Sequence, residues 1–152
     1  MMTWAAFLMS LLALPQMNHA TPGTTFQPAK NAVTVVEMYF NTCPYCNDNA
    51  PAVDELADYY GGTPRVQVVD VGIDTRDSDY VKWIGKHNPN HPVLKDAERK
   101  VARELGTSSY PSTYVIDCNG DILYKSVGAW SKATERKIYD AVERGFASEC
   151  SK

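Results

Sequence analysis

The 152 residues suffice for one hydrophobic core of ordinary size and are too few for two. An apolar fraction of 44% beside a charged fraction of 22% excludes a disordered or fibrous chain. The net charge of −3, with the Lys and Arg residues scattered and never clustered, argues against a nucleic-acid partner.

No Asp, Glu, Lys or Arg precedes Lys30, and Trp4 to Leu14 is an apolar run broken by one Ser, followed by Pro15 and then Asn18-His19-Ala20. This pattern predicts a secretory leader over residues 1–20, either cut after Ala20 or kept as an anchor. The run is shorter than the roughly 20 apolar residues that span a bilayer, so membrane contact is expected only if the leader stays uncut. A periplasmic or otherwise exported location follows, and there an even number of cysteines permits disulfides. Residues 21–32, rich in Pro, Gly, Thr and Gln, read as a flexible lead-in, with the domain over 33–152.

Within that domain, Thr34 to Phe40 is β-branched and aromatic and predicts a strand. Ala50, Val53, Leu56, Ala57 and Tyr60 recur at helical spacing over 47–60, and Gly61-Gly62 stops that helix. Val66 to Ile73 predicts a second strand; Asp79 to His87 predicts a helix carrying Tyr80, Trp83, Ile84 and His87 on one face. Ala97 to Leu105 predicts a short helix closed by Gly106. Asn119-Gly120, set between Tyr114–Asp117 and Ile122–Val127, is a strong hairpin signal. Ser131 suits the N-cap of a last helix with Ile138, Ala141, Val142 and Phe146 facing inward. The order strand, helix, strand, helix, helix, strand, strand, helix predicts a three-layer α/β domain. Its first strands pair in parallel through a right-handed crossover, and the late hairpin makes the central sheet mixed, with helices on both faces.

Cys43 falls between the first strand and the first helix, in the motif Cys43-Pro44-Tyr45-Cys46. A sulfur there meets unpaired backbone N–H groups and the helix dipole, both of which favour the thiolate. The two-residue spacer brings both sulfurs within bonding distance over one turn. It also predicts an exposed Cys43 that attacks and a deeper Cys46 that resolves, the asymmetry thiol–disulfide exchange requires. Pro44 fits the first turn because it has no N–H to leave unpaired. The competing readings are a zinc half-site and an inert disulfide. Zinc would need two further ligands, and Cys118 and Cys150 are not spaced as a second pair. His87, His91, Trp83 and Trp130 read as structural or surface residues, so no metal site is expected.

With these residues in view, the stretch from about Val33 to Phe146 resembles the thioredoxin superfamily, and within it the exported TlpA/ResA branch. Cys43 to Cys46 is similar to the active-site motif, and Pro51 to the proline that kinks the family's first helix. His91-Pro92-Val93-Leu94-Lys95-Asp96 through Leu105-Gly106 resembles the branch's insertion and following helix. Tyr110-Pro111-Ser112-Thr113 before Val115-Ile116-Asp117 resembles the segment carrying the family's cis-proline, and Lys125 to Ala129 with Ser131-Lys132 resembles thioredoxin's final strand and helix entry. The resemblance implies a thioredoxin-like fold and protein thiol–disulfide oxidoreductase activity without a dissociable cofactor. It implies a cis Tyr110–Pro111 peptide facing the cysteines, with Pro44, Tyr45, Tyr110 and Pro111 meeting the substrate. Two positions depart from the pattern: Thr42 stands where the family usually has Trp, and Asn49 where many ResA-like members have Glu.

Glu37, six residues before Cys43, occupies the place of thioredoxin's buried Asp. The expected role is to take, through water, the proton of Cys46 as it resolves the mixed disulfide; the alternative is an idle carboxylate at a wet sheet edge. Asp70 stands where thioredoxin has Lys. If Glu37 and Asp70 are cross-strand neighbours, their titrations couple and one pKa rises. Finally, Cys118 precedes the hairpin turn, and the following strand and helix each cover about 20 Å in opposite directions. Cys150 should therefore return near Cys118 and form a structural disulfide, the alternative being two free thiols. The expected partners are exported protein thiols or disulfides and an upstream thiol-redox donor or acceptor. The chain is expected to act as a reductant. The rival readings are a DsbA-like oxidant or isomerase, and a copper- or zinc-binding module without catalysis.

Overall fold

The structure, a computed structural model, describes residues 14–18 and 24–150. Five strands and four helices follow one another as β1 (Val33–Tyr39), α1 (Pro44–Tyr59), β2 (Val66–Gly72), α2 (Asp77–His87), β3 (Val93–Lys95), α3 (Lys100–Leu105), β4 (Ser112–Ile116), β5 (Ile122–Val127) and α4 (Lys132–Gly145). The sheet order is β3-β2-β1-β4-β5. β1 runs parallel to β2 and β2 to β3, while β4 runs antiparallel to both β1 and β5. This is the thioredoxin-like fold: a mixed sheet between helical layers.

β1 lies at the centre, and all seven of its residues are buried, as expected for a strand covered on both faces. Val33 and Val35 face a core built with Val53 and Leu56 of α1 and Ile138, Ala141 and Val142 of α4. Val36 and Met38 face the opposite core, with Val101, Ala102 and Leu105 of α3 and with Leu14 and Phe26. Where α2 meets the sheet, a Cβ on Gly72 would lie 2.8 Å from the Tyr80 ring and 2.9 Å from the Tyr39 ring. The tyrosine layer therefore requires glycine at this point. The Tyr80 hydroxyl donates to the Gly72 carbonyl at 2.8 Å.

The starts of α1 and α3 differ from the sequence reading, each for a local reason. α1 begins at Pro44 rather than Asn47, because Cys43 serves as N-cap with its Sγ accepting from the Cys46 N–H at 3.2 Å. α3 begins at Lys100 rather than Ala97, because the Asp96 carboxylate reaches forward to the N–H groups of Lys100, Val101 and Ala102 while Arg99 turns through the left-handed region. β3 has no counterpart in the sequence reading, because three residues are too few to show a period.

β3 also has a neighbour on its outer side. Gln16 pairs with Leu94 in an antiparallel bridge. The Met17 N–H donates to the Val93 carbonyl at 2.8 Å, and the Lys95 N–H donates to Pro15 at 3.0 Å. The Asn18 side chain accepts from the Val93 N–H and donates to the His91 carbonyl, both at 2.8 Å. Thus the described part of the predicted leader, Leu14–Asn18, covers the sheet edge, and Phe26 of the predicted lead-in lies in the core. The Ala20 cleavage point and residues 1–13 fall outside the described residues. Among the described residues, no helix is long and apolar enough to cross a membrane.

Candidate functional site

Cys43 and Cys46 are joined as a disulfide at the start of α1, with their Cα atoms 5.2 Å apart. Their cluster includes Tyr39, Ala50, Tyr80, Trp83 and Val93, with Phe40, Ile84, Met17 and Tyr110 packed against it. The Trp83 ring stacks on Tyr39 with centroids 4.2 Å apart. The expectation of an exposed Cys43 beside a buried Cys46 does not hold for this oxidised pair, whose residues are 3% and 2% exposed. The aromatic residues packed around the N-cap cover Cys43 as well. Solvent meets the motif at Pro44 and Tyr45 instead, the latter 59% exposed.

The Tyr110–Pro111 peptide is cis. Tyr110 packs edge-on to Phe40 at 5.8 Å and against the cysteine cluster, so its loop borders the pair. Pro111 itself is buried, and its carbonyl accepts from the Gly128 N–H. A cavity of about 560 Å³ adjoins this side, with Phe40, Ile73, Arg76, Arg99 and Tyr110 among its walls.

Glu37 is buried in mid-strand, opposite Thr113 of β4 and Asp70 of β2. Its Oε1 accepts from the Thr113 hydroxyl at 2.5 Å and its Oε2 from Asn49 Nδ2 at 3.1 Å. Asn49 also accepts the Trp130 N–H at 2.9 Å, and Trp130 Nε1 donates to Thr113 Oγ1 at 2.8 Å. Burial pushes the Glu37 carboxyl up to about 8 against the pull of these hydrogen bonds; the charge on Asp70 adds to the rise, and His91 opposes it. The wet sheet-edge alternative for Glu37 is therefore removed.

Sequence reasoning missed most of Glu37's partners. Asn49 stands out in the sequence only as a departure from the family pattern, although its position three residues after Cys46 puts it on the same helical face. Trp130 and Thr113 come from distant segments, and no spacing rule connects them to Glu37. His91, read as structural or surface, is 4% exposed and lies between Asp54 and Asp70. His87 remains half-buried, its Nε2 2.7 Å from Asn47 Oδ1, with its pKa lowered by burial and by Lys86.

Cys118 and Cys150 are joined with Cα atoms 5.4 Å apart. Nearby, Asn119 Nδ2 donates to the Glu149 carbonyl and Ser148 Oγ to Asp117 Oδ2, which holds the C-terminal segment to the hairpin. β4 runs antiparallel to β1, so this bridge sits at the end of the sheet away from Cys43.

A family model for AhpC/TSA matches residues 14–125. The chain belongs to the AhpC/TSA family. Among curated relatives, it is 28% identical over 132 residues to the thiol:disulfide interchange protein CycY of Rhizobium leguminosarum bv. viciae, covering 86% of this chain and 69% of that one. It is 30% identical over 118 residues to the thiol:disulfide interchange protein DsbE of Pseudomonas aeruginosa, covering 76% of this chain and 62% of that one. A secreted Mycobacterium tuberculosis disulfide oxidoreductase, homologous to E. coli DsbE, superposes with a TM-score of 0.70 at 18% identity, over 88% of this chain and 96% of that one. That last likeness is one of fold. The match of the family model from residue 14 also takes in the edge segment Leu14–Asn18.

Proposed function

We propose that this chain is a thiol–disulfide oxidoreductase that reduces exported protein clients through Cys43 and Cys46. The observation that carries the reading is the cysteine pair at the start of α1, with Asn49, one turn past Cys46, hydrogen-bonded to the buried carboxyl of Glu37. Kinship with proteins named for thiol:disulfide interchange supports the same chemistry.

In the reduced protein the Cys43 thiolate attacks one sulfur of a client disulfide. The client's other sulfur leaves as a thiolate, and a mixed disulfide joins Cys43 to the client. Cys46 then gives its proton, through water, to Glu37 in its ionised form and attacks the Cys43 sulfur. The client's remaining sulfur is released and protonated, and the Cys43–Cys46 disulfide is formed. The client gains two electrons and two protons, which an upstream thiol donor must restore to the enzyme. Pro44, Tyr45 and Tyr110 form the surface on which the client's extended chain lies, with Pro111 buried behind it and fixing the cis turn. Cys118–Cys150 takes no part and serves as a staple. Export accords with two disulfides in one small domain.

The test joins a redox titration of the Cys43/Cys46 couple with capture of clients on Cys46→Ala. A reductant has a potential nearer the roughly −270 mV of thioredoxin than the roughly −120 mV of DsbA, reduces insulin, and leaves client proteins linked through Cys43. A potential near the oxidising end with no insulin reduction would favour the oxidant reading. Stoichiometric binding of copper or zinc to the dithiol, with no exchange activity, would favour the metal-binding module.

A further inference from the structure

His91 is a buried histidine clamped between acids. Its Nε2 lies 3.0 Å from Asp70 Oδ1, an ion-pair contact whose angle is off the hydrogen-bond line. Its Nδ1 lies 3.2 Å from Asp54 Oδ1 and 2.9 Å from Asn90 Oδ1. Oxygen atoms thus face both ring nitrogens. A neutral imidazole has one nitrogen lone pair that needs a donor, and none is placed there; only the imidazolium, with a proton on each nitrogen, suits the site. The position is firmly held, because the His91 carbonyl accepts from Asn18 Nδ2 and the next residue's carbonyl, that of Pro92, accepts from the Asp70 N–H at 2.9 Å.

The partner acid leads to the redox site. Asp70 stands opposite Glu37 in the β1–β2 register, and both are buried. The other Asp70 oxygen takes the Trp83 indole N–H at 3.4 Å, and Trp83 packs in the cluster that contains Cys43 and Cys46. Two facing carboxylates in one buried site would each resist ionisation of the other. A buried cation beside one of them removes that resistance.

We propose that His91 is a positioning residue for the disulfide chemistry: as an imidazolium held between Asp54 and Asp70, it neutralises the carboxylate facing Glu37 and leaves Glu37 as the group that exchanges the resolving cysteine's proton. This rests on the role given to Glu37 above. The groups facing His91 are Asp54 from α1, Asp70 from β2 with Glu37 behind it on β1, and Asn90 from its own loop; His87 on α2 feels the same two acids, Asp54 and Asp70. The pKa directions agree: burial alone would lower that of His91, but the charge on Asp70 and the contact with Asp54 outweigh it and lift it to about 10.

The test is a carboxyl-carbon NMR titration of Glu37 in the oxidised protein, with His91→Gln, Asp70→Asn and the two combined. His91→Gln is expected to raise the Glu37 midpoint by about one pH unit, a tenfold change in proton affinity, and Asp70→Asn to lower it by a similar amount. The double variant should return to within about half a unit of the original. A purely structural role for His91 would change stability and leave the midpoint where it was, and that result would overturn the proposal. Should the variants fail to fold, imidazole nitrogen shifts in the unaltered protein decide: both nitrogens protonated at pH 8 supports the proposal, and a neutral ring at pH 7 ends it. The underlying reading fails separately, if Glu37→Gln leaves mixed-disulfide resolution at its original rate.

Discussion

Replacing Glu37 with Gln should stabilise the protein while slowing it, and the size of the gain depends on pH. In the fold the carboxyl holds its proton up to about 8, because burial outweighs the hydrogen bonds from Thr113 and Asn49; in an unfolded chain it lets go near 4.5. Between those values the native state binds the extra proton, so stability from this group is fully present below 4.5 and is lost as pH rises through 8. The whole span corresponds to about 5 kcal/mol, and the interval from pH 5 to pH 8 to roughly 3–4 kcal/mol. A Gln loses nothing over that interval, and its amide oxygen can still accept from Asn49. Urea unfolding of the oxidised protein and of Glu37→Gln at pH 5, 6.5 and 8 measures the difference. His91, raised to about 10, makes stability fall as pH rises above 6.5, but it stays protonated in the fold of both proteins up to pH 8, so over this range its contribution nearly cancels. The two stability curves should diverge by several kcal/mol toward pH 8, with the variant higher. Curves parallel to within about 0.5 kcal/mol would show that Glu37 ionises in the fold at its ordinary pH and would refute the reasoning.

The staple, the tyrosine layer and the edge segment give further expectations. Cys118 and Cys150 are 32 residues apart, so Cys118→Ser with Cys150→Ser should lower unfolding free energy by about 4 kcal/mol in the chain-entropy picture while insulin reduction per folded molecule stays unchanged. Gly72→Ala forces a methyl against the buried rings of Tyr39 and Tyr80; a loss of about 1–3 kcal/mol in urea melts is expected. A chain starting at Thr21 lacks the strand-like segment beside β3, and with it the burial of Leu14. Compared with a chain starting at Leu14, it should be less stable by about 2–3 kcal/mol, and the β3 amides of Val93 and Lys95 should exchange faster.

Elements with a strong local signal were legible in the sequence. β1 and β2 are β-branched runs, Asn119-Gly120 makes the β4–β5 turn, and the Ser131 side chain caps α4 by accepting from the Thr134 N–H. The redox motif was legible because its chemistry is confined to four consecutive residues. The facing of Glu37 and Asp70 was suggested only by the likeness to thioredoxin, because strands buried on both faces carry no alternating pattern that would set their register. The remainder depends on contacts between distant segments. Nothing near His91 in sequence announces that helix and strand will bring Asp54 and Asp70 to its two nitrogens. The pairing of Leu14–Asn18 beside β3 was not legible, because no spacing rule links that segment to a strand almost eighty residues on. Cys43 is buried in a cluster to which Tyr80, Trp83 and Tyr110 come from distant segments, so its burial was not legible either.

The nucleophilic character of Cys43 is measured most directly by mass-resolved alkylation of the freshly reduced protein from pH 4 to pH 9. The account predicts that iodoacetamide labels Cys43 ahead of Cys46, with a midpoint below the roughly 8.5 of an ordinary thiol. Labelling of Cys46 first, or a Cys43 midpoint at or above that value, would contradict it.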